Sequence, residues 1–209
     1  MMKKILYLIL HTQKHENRWN SLTDTWLKDK DYLFYSDHED LKKNIIKVTS
    51  DNSYHSNEPK FVNVVTLLPE KYMNYEWYFF ADNDTWVNTN KLESLLDTLD
   101  VNLFHGQKIF CWPKDKSLGY LAGGAGMLIH NSKFKHLRDN FKNYKTGYSD
   151  VSLGYYMREN GIECGDNDLF KSQPPEHYNI SEENVSNYIS FHYIKDKETQ
   201  SKYTKLSEK

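Results

Sequence analysis

Residues 77–87 read WYFFADNDTWV, an apolar run that ends in two aspartates, Asp82 and Asp84, on either side of Asn83. Trp77 to Ala81 shows no polar alternation, so it reads as a strand buried on both faces. A carboxylate is almost never fully buried unless it is paired or bound to a metal. In open α/β sheets, ligands bind beyond the carboxyl ends of the strands. A strand that delivers two carboxylates to its tip therefore points to a divalent cation, held there for a phosphate-bearing substrate. The other reading is a helix cap, with Asp84 and Thr85 starting a helix through Leu92, Leu95, Leu96 and Leu99. Asp-x-Asp also occurs at Asp29/Asp31, in a polar turn-like stretch, and at Asp166/Asp168, in a loop-like segment with no strand leading in.

Around this strand the pattern alternates. Strands are expected at Ile5–Leu10, Tyr32–Tyr35, Leu103–Phe110 and Ile189–Ile194, and another leaves the glycine cluster in GYLAGGAGMLIH. Helical spacing marks Trp19–Leu27, Phe61–Leu68, Lys91–Leu99 and Asp150–Asn160. Such alternation predicts a three-layer α/β sandwich on a mostly parallel sheet. The 209 residues fit a single domain, read as 1–194, followed by a polar Lys-rich tail, 195–209. A net charge of −2 and a pI near 6.5 give no basic footprint for nucleic acid. The apolar stretch Ile5–Leu10 is too short for a signal peptide, and no transmembrane span is expected. Cys111 and Cys164 form neither metal spacing nor a disulfide framework. Asn83-Asp84-Thr85 is formally a glycosylation sequon, and a glycan there would block the proposed cation site. These features favour a cytosolic compartment.

Other residues could carry chemistry. Gly123, Gly124 and Gly126, with Ala125, form a run without bulk that would let backbone N–H groups approach a ligand, or simply make a tight turn. Asp150 lies at an expected helix start, where it can cap the helix, stay ionised and accept a proton from a hydroxyl. His192, in ISFHYI, is either a packed strand histidine or a third ligand for Mn²⁺. Arg18 and Asp37 follow the first and second strands, suited to a phosphate and to a base or ribose respectively, unless they are merely exposed charges.

Taken together and in order, these segments resemble the β1,3-glycosyltransferase family of fringe and the core-1 galactosyltransferase. ILYLILHTQKHENRWNSLTDTW resembles that family's first strand, His/Thr loop and Arg-bearing helix. YLFYSDHED resembles its second strand, EWYFFADNDTWVN its metal motif and AGGAGMLI its acceptor-side turn. YSDVSLG resembles the start of its base-bearing helix, and GDNDLFKSQPPEHY with SFHYI its carboxyl-terminal end. The resemblance implies a GT-A fold, a UDP-sugar donor, a carbohydrate or glycoconjugate acceptor, and Mn²⁺ with Mg²⁺ as an alternative. It implies that Asp84 and His192 bind the metal, with Asp82 reaching it through water or reaching the ribose. Asp150 would be the catalytic base of an inverting transfer. Thr12, Arg18 and Asp37 would line the nucleotide pocket, and Gly123 and Gly124 the sugar.

Two positions depart from the family pattern. Asn83 replaces a central acid, which should spare the direct metal ligands and leave position 83 among the donor-binding residues. Ser149 replaces the first acid beside Asp150, leaving Asp150 as the base candidate there. The family's membrane anchor, stem and paired cysteines are absent from the sequence, so a soluble bacterial or large-virus form, or one domain of a longer chain, is expected. Two rivals are a sugar-1-phosphate nucleotidyltransferase and an inactive carbohydrate-binding module. The first should carry a glycine-rich loop after its first strand, and HTQKHENRW contains no glycine. In the second, Asp150 would be only a cap.

Overall fold

The computed structural model describes residues 3–208; Met1 and Met2 of the apolar opening and Lys209 of the expected tail lie outside the described residues. The strands are β1 (Lys3–Leu10), β2 (Tyr32–Ser36), β3 (Ile45–Lys47), β4 (Tyr75–Asp82), β5 (Trp86–Val87), β6 (Phe104–Gly106), β7 (Lys108–Ile109), β8 (Tyr120–Leu121), β9 (Met127–His130), β10 (Cys164–Asp166), β11 (Phe170–Lys171) and β12 (Ser190–Phe191). The helices are α1 (Asn17–Thr23), α2 (Asn57–Leu67), α3 (Thr89–Leu95), α4 (Asn131–Asn140), α5 (Ser149–Glu159) and α6 (Lys197–Ser207). Seven strands form the central sheet in the order β10-β6-β9-β4-β1-β2-β3. All its pairings are parallel except those of β9 with β4 and β6.

The central strands β1 and β4 explain the layering. Successive side chains on a strand point to opposite faces. Tyr7, Ile9, Trp77 and Phe79 enter one core with Leu22 of α1, Leu92 of α3 and Tyr203 of α6. Leu6, Leu8, Tyr78 and Phe80 enter the other with Phe61 of α2, Phe134 of α4 and Leu153 of α5. Both faces of the sheet are thus covered, which is the three-layer arrangement that an unbroken apolar strand demands. Each large side chain buried this way contributes roughly 1.5–3 kcal/mol.

Several local expectations change. The helix after the carboxylate pair begins at Thr89, with Asn88 capping it by accepting from the Lys91 N–H at 3.1 Å. Asp82 and Asp84 are therefore not its caps. Asp166 ends a true edge strand and accepts from the Lys108 backbone N–H at 2.9 Å, so the segment before it is not a loop. The strand around His192 is only Ser190–Phe191, because Tyr193 turns the chain at φ 63°. The stretch read as a polar tail contains α6, capped by Asp196 onto the Thr199 N–H at 2.7 Å. Its single buried aromatic, Tyr203, meets Trp86 edge-on at 5.6 Å. One such contact per three turns leaves little apolar periodicity to read.

Candidate active site

Parallel register places Leu10 beside Asp82, so β1 and β4 end together. The chain beyond β4 carries Asn83 and Asp84, both buried, and β12 pairs antiparallel with β5 to bring His192 alongside. His192 Nε2 lies 3.1 Å from Asp84 Oδ1 and 3.4 Å from Asp82 Oδ2. One ligand atom from each of the three residues fits within a 4.8 Å span. The backbone ties the two segments as well, since the Ile194 N–H donates to the Asp84 carbonyl at 2.8 Å.

The charges in this cluster match a cation site. Burial would raise the Asp84 carboxyl, but the His192 bond, with Arg18 and Lys195 nearby, holds it below the ordinary value. Burial opposes charge on His192, yet its bonds to Asp82 and Asp84 outweigh this and push its pKa up to about 9. Without metal, then, an imidazolium stands between two carboxylates. Two carboxylate oxygens and an imidazole nitrogen are a donor set that suits Mn²⁺, and the carboxylates alone suit Mg²⁺. A cation would replace the proton on His192.

Asn83 has a defined task. Arg18 Nη1 donates to Asn83 Oδ1 at 2.8 Å and lies 3.3 Å from Asp84 Oδ2. Arginine only donates, so the amide NH₂ of Asn83 faces His11 Nδ1 at 3.0 Å and makes that nitrogen the acceptor. The other ring nitrogen, Nε2, then carries the proton toward Glu16 Oε2 at 3.4 Å. Burial lowers the His11 pKa to about 4, so this arrangement stays neutral. An aspartate at position 83 would offer His11 only acceptors. His11, Glu16 and His38 also cluster within metal-ligand range, but the Lys43 ammonium already pairs with Glu16. That second cluster is internally satisfied.

A cavity of about 410 Å³ opens beside the Asp82–Asp84–His192 cluster. Thr12 and Arg18 line it, and Thr12 Oγ1 is buried beside the Asp37 carboxylate. Lys14, His15, Lys60 and Lys195 line it too and were not singled out from the sequence. The cluster of basic and imidazole side chains in HTQKHENR was a signal for the first two. Lys195 was hidden in the supposed tail. Asp37 does not line the cavity. It sits behind it, 3.2 Å from Lys60 Nζ and accepting from the Gln13 N–H at 3.2 Å. Its own burial works against ionisation, but its own backbone N–H, the Thr12 side chain and Lys60 bring its carboxyl down to about 2.

The glycine turn lies between this cavity and Asp150. A Cβ on Gly124 would fall 2.1 Å from His192 Nδ1, and one on Gly123 would fall 3.3 Å from Asp150 Cβ. Gly124 thus floors the metal-ligand cluster, while Gly123 abuts the base candidate. Thr85 Oγ1 fixes the turn by donating to the Gly124 carbonyl at 2.9 Å. Asp150 occupies the first turn of α5, where Tyr148 is the cap residue. It accepts from the Gly123 N–H at 3.2 Å and the Val151 N–H at 2.8 Å. Burial raises its carboxyl, Asp82 adds to the rise, and the two N–H bonds hold it back. The helix start is braced from below by buried Glu58, which accepts from the Gly147 N–H at 2.6 Å and from Ser152 Oγ.

Solved structures share this fold at low identity. A glycosyltransferase involved in glycosylation of the major capsid of PBCV-1 superposes with a TM-score of 0.59 at 16% identity, over 97% of this chain and 99% of that one. The glycosyltransferase GlyE of Streptococcus pneumoniae TIGR4 superposes with a TM-score of 0.58 at 12% identity, over 97% of this chain and 60% of its own. The architecture is the GT-A glycosyltransferase fold. In sequence, 115 residues are 30% identical to glycoprotein-N-acetylgalactosamine 3-beta-galactosyltransferase 1 of Xenopus laevis. That match covers 49% of this chain and 31% of the relative, so the chain spans about a third of the relative's length. None of the helices among the described residues is long and apolar enough to cross a membrane. The Fringe-like family model matches residues 2–208, from the first strand through α6, and the chain belongs to that family.

Proposed function

We propose that this chain is a metal-dependent, inverting glycosyltransferase that moves a hexose from a UDP-sugar to a hydroxyl of a carbohydrate or glycoconjugate. One observation carries the reading: a carboxylate–carboxylate–imidazole cluster and a cation-lined cavity lie on one side of a glycine turn, with the half-buried Asp150 carboxylate on the other. Asp84, His192 and Asp82 would hold Mn²⁺ or Mg²⁺, which supplies Lewis-acid neutralisation of a diphosphate leaving group. Arg18, Lys14 and Lys195 add positive charge along the cavity, where a departing diphosphate accumulates negative charge, and His15, held neutral by burial and by Arg18, lines it too. Thr12 lines the same cavity and would contact the nucleotide. Asp37 acts indirectly, by holding Lys60 at the cavity.

On the far side of the turn, Asp150 receives the proton of the acceptor hydroxyl as that oxygen attacks the anomeric carbon. A carboxyl raised by burial is a stronger base than an exposed one, and general-base catalysis contributes typically ~10²–10⁴-fold. Attack from the side opposite the diphosphate inverts the anomeric centre. The name of the Xenopus relative makes UDP-galactose the first donor to test. Calorimetry of UDP binding decides the donor half of the proposal. UDP should bind with Mn²⁺, lose most of its affinity in EDTA, and lose the metal dependence in Asp84→Ala. Equal affinity with and without metal would refute it.

A further inference from the structure

Asp84 and His192 both lie just past the ends of strands. Asp84 stands two residues beyond β4, and His192 follows the two-residue strand β12. Tyr193 then turns the chain at φ 63°, a left-handed conformation that a bulky aromatic residue adopts only when its surroundings impose it. The ties that impose it form a closed circuit through α6. The Ile194 N–H donates to the Asp84 carbonyl at 2.8 Å, and the Ile194 carbonyl accepts from Gln200 Nε2 at 2.8 Å. The Gln200 carbonyl accepts from Thr204 Oγ1 at 2.9 Å, and Thr204 Oγ1 accepts from Trp86 Nε1 at 3.2 Å. Trp86 lies two residues after Asp84, so the backbone completes the ring.

Gln200 is the odd member of this circuit. It and Tyr203 are the buried residues of α6, and the glutamine is fully enclosed. The core that α6 covers contains Trp86, Phe191, Ile194 and Tyr203, all apolar or aromatic. The Gln200 Oε1 atom is buried without a hydrogen-bond partner among the described residues, a cost that packing alone does not require. A methionine of similar length would cover the same core with no polar atom to satisfy. What the amide supplies and methionine cannot is a donor, and that donor meets the carbonyl two residues past His192. Resting on the cation-site reading above, we infer that Gln200 is a positioning residue: it clamps the segment bearing His192 to the segment bearing Asp84 and so holds the imidazole against the carboxylates. The helix that reads as a polar tail in the sequence is then part of the frame of the site.

Gln200→Met separates this clamp from general packing, and Leu206→Ala, which trims a partly buried side chain elsewhere on α6, is the control. Both variants of the full chain are compared with the wild type by amide hydrogen exchange without metal, by thermal melting, and by electron paramagnetic resonance of Mn²⁺ binding with and without UDP. In Gln200→Met the Ile194 amide should exchange faster while the amides of β1 and β4 keep their protection. The melting temperature should change little, and Mn²⁺ affinity should fall about tenfold, the lower end of what losing a ligand's supporting partner costs. Leu206→Ala should lower the melting temperature and leave Ile194 exchange and Mn²⁺ affinity as in the wild type. Unchanged Ile194 exchange or unchanged Mn²⁺ affinity in Gln200→Met overturns the role, and so does an equal loss of affinity in Leu206→Ala. A wild-type protein that binds no Mn²⁺, with or without UDP, refutes the cation-site reading instead. Faster exchange confined to Ile194 in Gln200→Met would still establish the clamp between the two segments in that case.

Discussion

Three neighbouring glycines should respond to alanine in three different ways, because each faces a different obstacle. At Gly124 the backbone is right-handed, so alanine itself is tolerated, but its Cβ would fall 2.1 Å from His192 Nδ1. The imidazole must swing out, removing one of three metal-ligand candidates. Disturbing a single partner around a metal site typically lowers metal affinity about 10–100-fold, and loss of a ligand should do at least that. At Gly126, φ is 96°, and a Cβ would meet the buried Phe79 ring at 2.3 Å. Strain and overpacking together should destabilise by about 3 kcal/mol, lowering Tm by roughly 6–12 °C. At Gly123 the Cβ meets Asp150 at 3.3 Å, a contact relieved by a shift of a few tenths of an ångström. Calorimetry of Mn²⁺-dependent UDP binding and thermal melts on the three variants separate these outcomes. Gly124→Ala should lose metal-dependent UDP affinity with its fold retained, Gly126→Ala should lose stability, and Gly123→Ala should keep both while turnover falls. Wild-type metal dependence in Gly124→Ala would refute the placement of His192 in the cation site.

Asp150→Asn keeps the shape of the side chain but cannot take a proton, so initial rates should fall ~10²–10⁴-fold while UDP and Mn²⁺ affinity persist. Near-normal turnover would remove Asp150 from catalysis. Buried His11, with its pKa lowered to about 4, makes stability pH-dependent. Between about 4 and 6.5 the unfolded chain binds a proton that the folded chain excludes, so stability rises with pH across that window, by up to about 3 kcal/mol. Asp37 and Asp84, held low, lose their contributions only below it, and Asp150, held high, opposes the slope near its acid end. Chemical denaturation of His11→Gln from pH 4 to 7 should show a flatter profile than the wild type. Glu58→Leu removes the acceptor of the half-buried Gly147 N–H and leaves the buried Ser152 hydroxyl only Thr146 Oγ1, which should cost about 1–3 kcal/mol and slow turnover without changing UDP affinity. Unchanged melting would contradict that brace.

The parts legible in the sequence were those written in a short run. The two-sided strand into Asp82, the glycine turn and the helix start at Asp150 each declare themselves within about a dozen residues. His192 could be singled out because it stands alone between aromatics. What stayed hidden depends on convergence. His11 looks like one imidazole among several in HTQKHENR until Asn83 folds over it and fixes its tautomer. Lys195 reads as tail charge until β12 carries it to the cavity. Asp37 looked like a nucleotide contact because it follows a strand, yet Lys60, on α2, takes it as a partner behind the pocket. Helix α4 buries only Asn131, Phe134 and Leu137 among ten mostly polar residues, too sparse a stripe to stand out.

The 108 positions between Asp84 and His192 have a consequence for the birth of the molecule. A ribosome delivers the carboxylate pair with β4 long before it delivers the imidazole. Until then Asp84 also lacks the Ile194 amide that ties its backbone in place. A nascent chain stopped short of β12 would carry two acids at a strand tip and no ligand set to gather a cation. The proposed cation site is therefore incomplete until the last strand docks. Removing the residues after Ser186 would leave the proposed cation site without His192 while keeping every strand of the central sheet.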